Sequence, residues 1–275
     1  MLELRLAWRN VWRNPRRTAL TVAATVFAVV LVVFAVAMAA GTHEKMIEDG
    51  VRVSSGHVQI SGPGYLEKRS LEQFVRADAA LLDRIDATEG VLGAAPRVVS
   101  FGLLSQGPAT RGVVVTGVDP AREGRVSTLP ERVREGRFVS AGPTREIVLA
   151  SRLAKILRAD LGDEVLLYSM AYSLETAYEL FTVVGILKLP EAEMDRSLAV
   201  LSLASAQEFF AYGDRVSEIA VLADGADRVE GLALALTRVV DGQPAEVHTW
   251  QEAMPELEQM IVLDDAGMYL SLIHI

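Results

Sequence analysis

The chain has 275 residues, a formal net charge of −9 and no cysteine. That length can hold a membrane span and one or two domains with real cores. The missing thiols rule out disulfides, thiolate metal sites and cysteine nucleophiles. Residues 1–17 carry five arginines and one glutamate, a net +4, so the rest of the chain holds −13. An acidic body of that kind lacks the basic face that nucleic-acid binding needs.

Residues 1–14 predict a helix lying in the cytoplasmic membrane interface. Leu4, Trp8, Val11 and Trp12 fall at helical spacing, and Arg5, Arg9 and Arg13 repeat every four residues beside them. Tryptophans next to a row of arginines suit the headgroup region. The alternative is a basic tail without structure. Asn14-Pro15 then reads as an N-cap followed by proline at the first helical position.

Thr18–Ala40 is 23 residues without a charge. As a helix it reaches about 34 Å, enough to cross a hydrocarbon core of roughly 30 Å. Arg9, Arg13, Arg16 and Arg17 hold its leading end in the cytoplasm by the positive-inside rule. Residues 15–41 are therefore read as a transmembrane helix, and 42–250 as an extracytoplasmic domain. A cleaved signal peptide is the rival, but its apolar region usually runs only about 7–15 residues.

Past Gly41 the helix is expected to continue as a stalk, with Met46 and Ile47 on its apolar face. Ser55–Ile60 alternates like a strand, and Ser61–Tyr65 is a turn cluster. Leu71–Ala87 has the spacing of an amphipathic helix stopped by Gly90. Val91–Ser105 and Gly112–Val118 read as strands, with Pro96 near an edge or bend. Asp119–Gly142, rich in glycine, proline and charge, is expected to be mostly loop.

Strands are then expected at Glu146–Ala150, Val165–Tyr168, Tyr178–Leu187, Leu198–Leu203, Val216–Leu222 and Ala245–Thr249. Helices are expected at Arg152–Leu157, Ala204–Tyr212 and Arg228–Val240. From Gln251 the chain turns helical again, with Met254, Leu257, Met260, Ile261 and Leu263 as an apolar stripe. Residues 251–275 read as a returning stalk helix and the start of an incomplete second span, since Ala266–Ile275 is too short to cross. A docked C-terminal helix is the alternative. The fold class is α+β: one N-terminal transmembrane helix, a mixed α/β body and a returning helix.

No catalytic constellation emerges. The P-loop pattern G-x-x-x-x-G-K-[ST] and the G-x-S-x-G elbow are both missing from the sequence. His43-Glu44 begins a zincin-like motif that fails at Ile47, and His57, His248 and His274 lie far from it in sequence. Glu191, Glu193 and Asp195 are expected to form a solvated acidic loop rather than a cation site. Ser54-Ser55-Gly56 reads as a plain turn, with an anion nest as the sharper alternative. Tyr168, Met170, Tyr172 and Tyr178 fit either an apolar recognition surface or core packing. No catalytic, cofactor or metal residue is assigned.

Ala7-Trp-Arg-Asn-Val-Trp-Arg-Asn-Pro-Arg-Arg-Thr18, the apolar run behind it, and Ser54-Ser-Gly-His-Val-Gln-Ile60 with Pro63-Gly-Tyr65 resemble the amino-terminal half of FtsX-like ABC permeases of the MacB and lipoprotein-releasing LolC/LolE types. Glu146-Ile-Val-Leu-Ala-Ser-Arg-Leu-Ala154 and Leu161-Gly-Asp-Glu-Val165 are similar to their periplasmic domain. The resemblance covers about residues 4–270. It implies an inner-membrane permease subunit that is not itself an enzyme. A cytoplasmic ABC ATPase would bind ATP and Mg, and a second permease copy or paralogue would complete a dimer. Its cargo would be a lipoprotein, peptide or drug in the envelope. It also implies a porter-like subdomain built from both ends of the body, with a β-rich subdomain inserted near 107–212. Coupling would run through Gly41–Asp49 and Gln251–Asp265, with Met46, Ile47, Leu257, Met260 and Ile261 at the stalk contact. Family members carry three further spans after the body, so the sequence is read either as a fragment or as carrying a spurious end at Ser271–Ile275. The alternatives are a single-span anchored binding or adaptor module without transport activity, and a secreted hydrolase released by signal cleavage.

Overall fold

A computed structural model describes residues 8, 9 and 11–274. Two compact units emerge: a helical one, up to Glu48 and again from Leu257, and a body from Asp49 to Glu256. Leu4 and Arg5 of the expected interfacial helix lie outside the described residues.

In the helical unit, Trp8, Arg9 and residues 11–13 are helical, the chain bends at Asn14, and one helix runs from Pro15 to Val51. Pro15 has no N–H to lose at a helix start, so the bend falls where a proline costs least. The Thr18 hydroxyl donates back across the bend to the Val11 carbonyl at 2.6 Å. Further along, Thr21 and Thr25 donate to the carbonyls of Arg17 and Thr21, four residues back. Inside a hydrocarbon layer such hydroxyls need partners within the chain, and these have them. The apolar stretch of this helix is wholly uncovered by the rest of the protein. It is the one helix among the described residues that is long and apolar enough to cross a membrane.

The body is built on a ten-stranded sheet with strand order β12-β1-β11-β3-β4-β9-β6-β8-β5, and β7 pairs with both β3 and β8. The strands are β1 (Val58–Ser61), β3 (Val91–Gln106), β4 (Ala109–Val118), β5 (Val133–Gly136), β6 (Glu146–Ala150), β7 (Glu164–Met170), β8 (Thr176–Leu187), β9 (Leu198–Ser202), β11 (Glu218–Ala223) and β12 (Glu246–Thr249). A separate small ladder joins β2 (Val75–Arg76) to β10 (Arg215–Val216).

The 16-residue β3 changes neighbours along its length. Its first half pairs with β11 and its far end with β7 (Leu103 opposite Tyr168), while β4 follows its other edge from Arg97 onward. The pairings β3–β4–β9–β6–β8–β7–β3 therefore close a circuit of six strands. Alternate residues such as Leu104, Val113, Val115, Leu167 and Phe181 are buried in one hydrophobic cluster. Closure removes most free edges from this part of the sheet. Pro96 stands opposite Ile219, one residue before the ladder to β4 begins, where one side of the strand is free of a pairing.

Several expectations need correction. The helix expected at Leu71–Ala87 spans only Ala79–Asp86. Asp78 caps it, accepting the Leu81 N–H at 2.7 Å, while Val75 and Arg76 upstream are drawn into a ladder. Asp119–Gly142 is not mostly loop. Asp119 caps a helix at Pro120–Val126, and a 3₁₀ turn (Pro130–Arg132) and β5 follow. The helix expected at Ala204–Tyr212 runs Leu203–Phe209 under a Ser202 cap. The returning helix does not start at Gln251. A four-residue helix, Trp250–Ala253, ends before Met254, and a new helix runs Pro255–His274, because a residue before proline is pushed out of helical geometry.

Candidate functional site

Arg9, Arg13, Arg16 and Arg17 lie at or just before the start of the long helix, beside Trp8 and Trp12, whose exposed rings meet edge to face at 6.0 Å. Of the expected stalk residues, Met46, Ile47, Leu257 and Ile261 are half-buried, while Met260 is 52% exposed. Among the described residues, a polar contact also links the two helices. His43 Nε2 is 2.8 Å from Asp264 Oδ2, and Nδ1 is 3.5 Å from Asp265 Oδ1. His43 is nearly buried although its neighbours Thr42 and Glu44 are exposed. An imidazole between two adjacent carboxylates fixes the register of the two helices more tightly than an apolar stripe, because hydrogen bonds are directional. Asp264 and Asp265 are the only charges in the otherwise uncharged run from Gln259 to Ser271, a signal the apolar stripe had masked.

Within the body, Tyr168, Met170 and Tyr178 stand exposed on one face with Phe101, Leu103, Leu166 and Leu180, as the cross-strand pairs of β3, β7 and β8 require. Tyr172 differs. It packs against Phe74 and Tyr212 in the core, with Arg215 over its ring. Ser54-Ser55-Gly56 forms a tight turn in which Gly56, at φ +71°, lies against Val221 with no room for a Cβ.

The acidic loop is not wholly solvated. Glu191 and Glu193 are exposed, but Asp195 is fully buried. It accepts from Ser151 Oγ and the Leu189 N–H and pairs with Lys188. Burial alone would raise its pKa, but these partners outweigh it and hold the carboxyl below its usual range. Arg152 Nε, at 3.6 Å, is a second cationic neighbour of the carboxylate.

A cavity of about 380 Å³ opens on the sheet where β1, β11 and β3 meet β4. Most of its lining is apolar: Val99, Phe101, Val114, Leu129 and Leu198. At one end lies a buried charge network. Arg97 and Glu218 are direct cross-strand partners, with Nη1 3.7 Å from Oε1. Arg97 also makes a two-pronged bond to Glu123, at 2.6 and 3.2 Å, and donates to the Ser54 carbonyl. Gln59 Nε2 donates to Glu218 Oε2 at 2.7 Å. Burial works against the Arg97 charge, but the two carboxylates more than restore it. Burial pushes the Glu218 pKa up, against the pull of Arg97 and Arg69, and pushes that of Tyr65 up as well. None of Arg97, Glu123 and Glu218 stands out in the sequence, except as charges inside apolar strand or helix patterns.

The model of the MacB-like periplasmic core domain matches residues 18–239. The lipoprotein-releasing system transmembrane protein LolC of Neisseria meningitidis is 26% identical over 200 residues, covering 70% of this chain and 48% of that protein. The chain thus spans about half the length of that curated relative. Among solved structures, the periplasmic region of MacB from Actinobacillus actinomycetemcomitans aligns with TM-score 0.48 at 15% identity, over 73% of this chain and 92% of that one. The extracellular domain of the noncanonic ABC-type transporter YknZ from Gram-positive bacteria aligns with TM-score 0.47 at 15% identity, over 63% and 89%. Since the family model takes in residues 18–239, most of the sequence, the chain belongs to the MacB-like periplasmic core domain family.

Proposed function

We propose that this chain is the amino-terminal part of an inner-membrane permease subunit that passes motion from a cytoplasmic ATPase to a periplasmic body. One observation carries the reading. A single helix runs from Pro15 to Val51, through the uncharged stretch and into the first buried residues of the body, without a break at Gly41. A continuous helix transmits displacement along its axis; a flexible linker does not. The His43 contact to Asp264 and Asp265 supports joint movement of the two stalk helices. Met46, Ile47, Leu257, Met260 and Ile261 are assigned to the same contact. The arginines support a cytoplasmic N-terminus, with Trp8 and Trp12 as interfacial anchors.

The ATPase would be a separate subunit holding ATP and Mg, and a second permease copy or paralogue would complete the assembly. The cargo would be an envelope lipoprotein, peptide or drug. Within the body, the strands supplied by the two chain ends are assigned to a porter-like part, and the segment near 107–212 to an inserted part. The test is Gly41→Pro in the full-length protein, coexpressed with its ATPase partner. ATP hydrolysis should persist while export falls to background. Undiminished export would overturn the reading.

A further inference from the structure

We propose that the body cavity binds a cationic amphiphile, a protonated amine carried on an apolar framework. The inference goes beyond the transport reading and does not depend on it.

The cavity has the size of a small-molecule site, with apolar wall area alongside a set of polar and charged side chains. The polar lining holds a buried acceptor without a donor, beside a carboxylate. Arg97 is already committed to Glu123, the Ser54 carbonyl and Glu218. Arg69, the other cation in the lining, donates to the Ala253 carbonyl at 3.2 Å and stacks over Tyr65. On the acceptor side, Gln59 is 1% exposed, and its Oε1 has no hydrogen-bond partner among the described residues. A buried amide oxygen without a donor costs roughly 1–3 kcal/mol, so a donor that reaches it is strongly favoured. Glu218 lies beside it, bonded to the same amide group. Glu191 and Glu193 stand at the exposed part of the lining, although Glu193 is paired with Arg196. An ammonium group supplies the missing donor and compensates Glu218. A carboxylate or phosphate would meet like charge from Glu218, and the Tyr65 hydroxyl, an unpaired donor in the lining, carries no charge to offset it. The hydrocarbon of the same molecule would lie against Val99, Phe101 and Val114, which continue onto the exposed apolar face of the sheet.

The test uses the full chain in lipid nanodiscs with ¹³C-methyl methionine. Met194 lines the cavity and reports on it directly, and its resonance is assigned through Met194→Leu. Three probes of equal length are titrated: hexylammonium, hexanol and hexanoate. A saturable Met194 shift is expected with hexylammonium, at a Kd at least about tenfold below those of the other two. Glu218→Gln and Gln59→Met should each erase most of that preference. Thermal unfolding shows which variants are folded. If neither folds, the three-probe comparison on the unaltered chain decides alone. Equal binding of the three probes, a preference for hexanoate, or no saturable shift at Met194 would overturn the proposal.

Discussion

His43 and Asp264 lie 221 positions apart in sequence and 2.8 Å apart in the helical unit. The contact joins the helix that leaves the apolar stretch to the one that returns. Because the chain has no cysteine, the pair His43→Cys with Asp264→Cys should form one clean cross-link under mild oxidation, seen as a mobility shift on a non-reducing gel. No cross-link would remove the pairing. His43→Ala should weaken the contact by about 0.5–1 kcal/mol, since Asp264 is largely exposed. A cross-linking rate from Thr42→Cys to Asp265→Cys, compared with and without His43→Ala, measures that loss.

Arg97 should be far less tolerant. Removing it strands Glu123 and Glu218 as buried carboxylates, so Arg97→Met should cost about 3–5 kcal/mol. The double change Arg97→Met with Glu123→Leu should recover a large part, because a pair lost together leaves less uncompensated charge. Chemical unfolding of the body, followed by far-ultraviolet circular dichroism, reads both. Equal stability of the single variant and the parent would mean the network is not formed.

Acid should weaken the Arg137–Glu146 pair. Arg137, helped by Ser140, lowers the Glu146 pKa from 4.5 to about 2. A depressed carboxyl pKa gives stability that is fully present above 4.5 and drains away as pH falls toward 2. Glu146→Gln should flatten that part of the stability–pH curve and leave the neutral region nearly unchanged. An identical acid limb in the variant would assign the effect elsewhere.

A charge in the apolar helix gives a topological test. Val29 is exposed to the surroundings in the middle of Thr18–Ala40. Val29→Asp should disfavour membrane insertion by about 2.5–3.5 kcal/mol. A translocon insertion assay would show a fall in the inserted fraction. Full insertion would mean that the span lies elsewhere.

The elements most legible in the sequence were those decided locally. The β-branched run at Gly112–Val118 became β4, and the continuous apolar run at Glu146–Ala150 became a buried strand. The misread helix at Leu71–Ala87 had correct spacing, but Leu71 and Phe74 pack on the main core from a non-helical segment, and Val75 pairs across to Val216. Tertiary contacts overrode periodicity there. Asp119-Pro120 was a legible helix start, hidden by the density of glycine and charge behind it. The cavity was not legible at all. Arg97, Glu123 and Glu218 come from two strands and a helix, and no local pattern states that such residues will meet. The burial of Asp195 was missed for the same reason, since Ser151 and Lys188 come from separate elements.

The long β3 belongs at once to the strands supplied by the chain's ends and to the closed circuit of the middle segment. Between Arg97 and Leu103 the ladder to β4 runs on unbroken, while on the other edge Ser217 accepts from the Val99 N–H and Ser169 donates to the Phe101 carbonyl, so the strand resists bending where the two regions meet. Under the proposed coupling, a pull passed on to the body is expected to move it as one plate rather than open it like a jaw.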